Sequence, residues 1–232
     1  MRKIWHEDSI QTLSSFRNLQ NNYQDIIPEV LKFVDDNQRI LEEWRLDKWV
    51  DDRNLGRVKL WDGDWRVIPF PIDAVGSTAT EEDFELSEMV TFTKLFNTTT
   101  ERCREVLPLV KQSFITNCPK TFKYLQEDID NKLLKSATIS RLSPGSVINP
   151  HNGDIDSLRI HFPVIADPGA WIKVRGRRRV WNVGEVFAFK DHDKHWVKHE
   201  GTHDRIIVIL DYSIEQLSQY GINLEDWEED AI

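Results

Sequence analysis

The chain has 232 residues, with 39 Asp and Glu against 30 Lys and Arg and a formal net charge of −9 at pH 7. That excess disfavours general nucleic-acid binding, although a local basic patch remains able to hold an anion. Apolar residues make up 40% of the sequence, enough for a core that needs no covalent staples, and no uninterrupted apolar run is long enough to cross a bilayer.

The opening "MRKIWHEDSIQTLSSF" has no apolar leader region, which with the rest predicts a soluble, cytoplasmic protein with no membrane partner. Only two cysteines occur, Cys103 and Cys118, in no metal-like spacing, and they are expected to be reduced thiols.

Residues 9–36 carry an apolar stripe at helical spacing: Ile10, Leu13, Phe16, Leu19, Tyr23, Ile26 and Ile27. Pro28 is predicted to mark a break or a first turn ahead of Val30, Leu31, Phe33 and Val34. A Trp-rich segment follows (Trp44, Trp49, Trp61, Trp65), and "WDGDWRVIPFP" reads as a turn and then a strand ended by Pro69 and Pro71. "ERCREVLPLVKQSF" reads as helical, with a break expected at Pro108. No repeat or low-complexity linker divides the chain. The prediction is a single domain in which a helical flank, 1–60, packs on a core, 61–232.

From residue 137 the pattern changes. "ATISRL", "SLRIHFPVI", "AWIKVRG", "RRVWNVGEVFAF", "HWVKHEG" and "RIIVILDYS" are short β-branched and aromatic runs punctuated by glycines. Such spacing predicts a mainly β sandwich or barrel, a double-sheet jelly roll among the options.

Six of the seven histidines lie in this half. Taken singly, each reads as a surface or core polar residue. His151, at a loop entering a strand, and His195, in a loop between strands, could meet at one mouth of a jelly roll. Two His with one carboxylate and open positions would indicate non-haem Fe(II) oxygen chemistry. The carboxylate is expected at 153, where Gly153 stands, with Asp154 one residue too far along.

Three blocks in order, "SRLSPGSVINPHNG", "LRIHFPVI" and "FKDHDKHWVKHEGTHDRIIVILD", together resemble the aspartyl/asparaginyl β-hydroxylase family of Fe(II)/2-oxoglutarate dioxygenases. The resemblance runs from "GDW" at 63–65 through "CPKT" at 118–121 to about Tyr212, and is weak over the first 60 residues. It implies a double-stranded β-helix (jelly roll, cupin-like) with a helical N-terminal flank. It further implies His151 and His195 as iron ligands, with Gly153 marking a position that founding members also leave without a carboxylate. Arg205 would pair with the distal carboxylate of 2-oxoglutarate, assisted by Ser140, while Arg159 and His161 would address its other end or a substrate carboxylate. His192, His199 and His203 match no required position and are expected to be solvated loop residues.

The implied activity is hydroxylation of an unactivated C–H of a small substrate, with Fe(II), 2-oxoglutarate and O2. The basic run "KVRGRRR" reads as a hairpin tip at Gly176. It is either a solvated turn or a steering patch in which Arg175, Arg177 and Arg179 contact an acidic amino acid or metabolite. Trp171, Trp181 and Trp196 are candidates for pocket walls or core. Two alternatives stay open: a halogenase that takes chloride at the position Gly153 leaves vacant, and a non-catalytic jelly-roll binding module. In the hydroxylase reading Gly153→Asp would be tolerated or merely inhibitory.

Overall fold

The computed structural model describes residues 4–43, 49–52, 56–70 and 99–224. After a 3-10 turn at Asp8–Ile10 come the helices α1 (Ser14–Asn21), α2 (Tyr23–Asp36) and α3 (Gln38–Glu43). The strands β1 (Trp49–Asp52), β2 (Gly56–Lys59), β3 (Trp61–Asp62) and β4 (Trp65–Phe70) follow, then the helices α4 (Thr100–Asn117) and α5 (Pro119–Asp130). Eight strands complete the core: β5 (Leu134–Leu142), β6 (Val147–His151), β7 (Ser157–Ile165), β8 (Ala170–Val174), β9 (Arg177–Val180), β10 (Phe187–Lys190), β11 (His195–His199) and β12 (Arg205–Ser213). A last helix is α6 (Ile214–Gln219).

Two five-stranded antiparallel sheets form the barrel, in the orders β10-β7-β12-β5-β4 and β3-β6-β11-β8-β9. Counting β5 to β12 as one to eight, the inner orders are six-three-eight-one and two-seven-four-five, the interleaving of a jelly roll. The mainly β fold with a helical flank is therefore present.

The two sheets read differently because their surroundings differ. The β12 sheet is covered on both faces. Ile139, Phe162, Val164 and Leu210 meet the helices through Phe16, Phe33 and Leu125, while Leu142, Phe187, Phe189 and Ile207 meet the opposite sheet. Its strands are accordingly near-continuous apolar runs. The β11 sheet has one solvated face, and β8 alternates buried Ala170, Ile172 and Val174 with partly exposed Trp171 and Lys173.

The helical layer draws on more than the flank, since α4 and α5 pack beside α1 and α2. Tyr212 of β12 donates to Asp128 of α5 at 2.7 Å and lies 2.8 Å from Ser15 of α1, whose hydroxyl also reaches Asp128. Glu29 of α2 accepts from the Lys120 and Thr121 amides, capping α5.

Four local expectations need correction. α2 runs through Pro28 and α4 through Pro108. Both prolines are exposed, so the carbonyl each one orphans can turn to water. β4 continues through Pro69, paired with Thr138, because it is an edge strand where a missing N–H is tolerated; Pro71 lies outside the described residues, as does Trp44. "RRVWNVGEVFAF" is two strands in different sheets, β9 and β10, separated by a turn.

Candidate metal centre

β6 ends and β11 begins at the same end of one sheet, and the register pairs His195 with His151. Both residues are thus on strand ends rather than in the loops expected from sequence. Their rings lie 4.2 Å apart between centroids. The His151 Nδ1 is 2.8 Å from the Asn149 carbonyl, and the His195 Nδ1 is 2.7 Å from the Asp193 carbonyl. A carbonyl only accepts, so both Nδ1 atoms carry the hydrogen and both Nε2 atoms present a lone pair. Burial pushes the His151 pKa down and brings His195 to about 3, which keeps both rings neutral. Two neutral, oriented imidazoles are the donor set a divalent transition metal takes. Among the described residues no third His, Cys, Asp or Glu completes a metal-holding group with them.

The empty carboxylate position has an occupant. A Cβ at Gly153 would fall on the Asp191 carboxylate, which follows β10 and is 3% exposed. Asp191 Oδ2 accepts from the Asp154 amide at 2.9 Å, and Oδ1 stands 3.6 Å from His195 Nε2. Burial raises the Asp191 pKa, while Arg159, at 2.7 Å, works the other way. Asp154 itself pairs with Lys135, which lowers its pKa to about 2. Tolerance of aspartate at position 153 is therefore the wrong expectation. Gly153→Asp would place a second carboxylate on the first, and is expected to cost on the order of 1–3 kcal/mol in urea unfolding from overpacking alone. Wild-type stability in that variant would mean that Asp191 swings away freely.

The two His rings open into a pocket lined by Trp65, Ser140, Ile148, Arg159, His161, Ile172, Phe189, Val197, Arg205 and Ile209. Arg205 is 1% exposed. Its Nη2 donates to Ser140 at 2.8 Å, its guanidinium lies 4.7 Å over the Trp181 ring, and Nε has no acceptor among the described residues. No carboxylate pairs with it there, and burial alone drags its pKa below the ordinary arginine value. Ser140 also accepts from the Trp65 indole at 2.9 Å, so its own hydrogen is left to donate. His161 is buried and neutral, its pKa pushed well down by burial. Its Nδ1 faces the Trp181 indole N–H at 3.2 Å, and its Nε2 has no partner among the described residues. The pocket thus collects a guanidinium, a hydroxyl and an imidazole N–H, all donors, beside two lone-pair nitrogens.

The sequence profile of the family described as aspartyl/asparaginyl beta-hydroxylase matches residues 20–214. The chain belongs to this family. Among curated relatives it is 32% identical over 101 residues to aspartate beta-hydroxylase domain-containing protein 2 of Mus musculus and of Homo sapiens. Those stretches cover 40% of this chain and 29% and 27% of the two relatives, so the match spans less than a third of their length. Among solved structures, a cupin-like protein from Thermotoga maritima matches with a TM-score of 0.32 at 13% identity, covering 38% of this chain and 65% of that one. A cupin barrel protein from Salinispora arenicola matches at 0.30 and 14%, covering 37% and 69%.

The aspartyl/asparaginyl β-hydroxylase pattern in the sequence marks His151, His195, Ser140, His161, Arg159 and Arg205, and all six line this pocket. The basic hairpin does not. Arg175 and Gly176 form its tip, both with positive φ (46° and 87°), and Arg175 lies 3.7 Å from Asp193. Arg179 is taken by Glu7 and by Glu185, the latter at 2.7 Å, and it packs over Trp5 and Phe187. Neither these two nor Arg177 lines the pocket. Trp171 and Trp196 sit together on the solvated sheet face, and Trp181 backs Arg205 and His161. His192 is exposed, whereas His199 is a buried β11 residue whose Nε2 meets the His203 carbonyl, not a solvated loop residue. Sequence reading passed over Asp191 and Trp65. "DHDKH" offered two carboxylates near His195 with nothing to choose between them.

Proposed function

We propose that this family member is an Fe(II)- and 2-oxoglutarate-dependent oxygenase that hydroxylates an unactivated C–H of a small substrate. One observation carries the reading: Arg205, buried and without a carboxylate partner among the described residues, in a pocket that also holds two metal-competent imidazoles. An unpaired buried charge is costly, and an anionic ligand relieves that cost. A guanidinium takes a carboxylate bidentately. A dicarboxylate fits the donor set, one end on Arg205 and Ser140, the other near His161 and the imidazoles.

When bound, Fe(II) with 2-oxoglutarate and O2 supplies the oxidising chemistry. The residues of the chain hold and exclude. His151 and His195 would hold the metal. Trp65, Ile148, Ile172, Phe189, Val197 and Ile209 keep the pocket walls dry, which strengthens the polar contacts inside.

Halogenation would need a halide in the space beside Gly153. The Asp191 carboxylate fills that space, and its negative charge opposes an anion there. Replacing chloride by a non-coordinating anion is therefore expected to leave product mass unchanged, as read by mass spectrometry. A chlorinated product with its isotope pair would reverse this choice.

The direct test of the function is anaerobic addition of Fe(II) and 2-oxoglutarate, followed by O2 and a substrate panel of amino acids, peptides and metabolites. A visible charge-transfer band and succinate formation are expected. Absence of both would leave the binding-module reading in place.

A further inference from the structure

Arg159 is held in the pocket wall by two carboxylates from different strands. On β7 it lies directly across from Asp211 of β12. Its Nε donates to Asp211 Oδ1 at 2.8 Å and its Nη2 to Asp211 Oδ2 at 3.0 Å. Its Nη1 is 2.7 Å from Asp191 Oδ1. Burial works against the Arg159 charge, but Asp211 and Asp191 outweigh it and hold the guanidinium charged. The Ser136 hydroxyl donates to Asp211 Oδ2 at 3.0 Å, fixing the far end of the chain of contacts.

A guanidinium offers its N–H groups in one rigid plane. Once Asp211 takes the Nε–Nη2 edge with both oxygens, the place of the remaining Nη1 end is set. It stands 2.7 Å from Asp191 Oδ1 as an ion pair rather than an aligned hydrogen bond, and Asp191 is the carboxylate that fills the Gly153 space and stands beside His195 Nε2. A single Arg159–Asp191 contact would leave the guanidinium free to turn. We infer that Asp211 is a positioning residue, acting through Arg159 to fix the Asp191 carboxylate beside the metal face. This rests on the reading of His151 and His195 as metal ligands.

The test uses the full chain, stripped of metal and titrated with Co(II), whose visible ligand-field bands report the coordination environment. Asp211→Asn is expected to weaken Co(II) binding about tenfold, the low end of what losing a group behind a ligand does, and to shift the bands at saturation. Asp211→Glu keeps the charge but moves the carboxylate, and should fall between Asp211→Asn and wild type. Asp191→Asn should reproduce the shift. In an Arg159→Gln background, Asp211→Asn should add nothing, since the two act in series. Thermal melts of the metal-free variants confirm folding, and a merely structural role would lower the melts while leaving affinity and spectrum alone. Wild-type affinity and spectrum in both Asp211 variants would overturn the inference, as would additive effects of Asp211→Asn and Arg159→Gln. A wild-type chain that fails to bind Co(II) would instead remove the ligand reading beneath it.

Discussion

Replacing either His151 or His195 with alanine is expected to abolish measurable Fe(II) binding, while His192→Ala leaves it near wild type. The pocket offers two lone-pair imidazoles, and no third group among the described residues completes a metal-holding cluster. One imidazole on a strand end cannot hold a divalent ion against water. The loss should exceed the roughly 10–100-fold that follows from removing a group behind a ligand. His192 is exposed and touches the site only through its backbone carbonyl, which accepts from the Asn152 amide. Anaerobic Fe(II) titration followed by calorimetry distinguishes the cases. Equal affinity in wild type and His195→Ala would sink the ligand assignment.

Arg205 should give effects of opposite sign on binding and on stability. Arg205→Ala is expected to raise the 2-oxoglutarate requirement steeply, because losing one partner of a buried charge-assisted pair costs on the order of 2–5 kcal/mol. Arg205→Lys should recover only part of this, having no planar fork. Without co-substrate the charge is a liability: it is buried, and Ser140 and the Trp181 face are its polar company. Arg205→Met, which keeps the bulk and removes the charge, is therefore expected to leave the metal-free protein as stable as wild type or more so. Adding 2-oxoglutarate should raise the melting midpoint of the wild type and not of the variant. A variant that loses stability in the absence of ligand would mean that the guanidinium is already paid for by partners inside the fold.

Much of this was legible from sequence, for reasons that differ by residue. The β12 run "RIIVIL" announces a strand buried on both faces, and Arg205 at its start is the residue such a run would not carry without purpose. His151 and His195 were found through the ordered blocks around them, since a lone histidine says little. What could not be read was where a side chain goes when another leaves room. Gly153 was legible as an absence, and Asp191 filling it is a tertiary event that joins residues 38 positions apart. Arg179 failed as a substrate contact for the same reason. Its partners, Glu7 and Glu185, come from the chain's start and a neighbouring turn, and no local pattern pairs them. Pro28 and Pro108 misled because the rule that breaks helices assumes a carbonyl with nowhere to turn, and these lie on the wet face.

The place of β12 in its sheet also bears on the order in which the molecule can be made. It pairs on one side with β5 and on the other with β7, yet it is synthesised after both. Until residues 205–213 leave the ribosome, β4 and β5 have no bridge to β7 and β10, and the sheet exists only as two narrow pieces with open edges. Pairings this distant in sequence are slow to form, and unpaired edges invite association with other chains. The strand that closes the barrel brings Arg205 and Asp211 with it. A nascent chain therefore lacks the Ser140 and Arg159 contacts of these two side chains until the moment its exposed edges disappear.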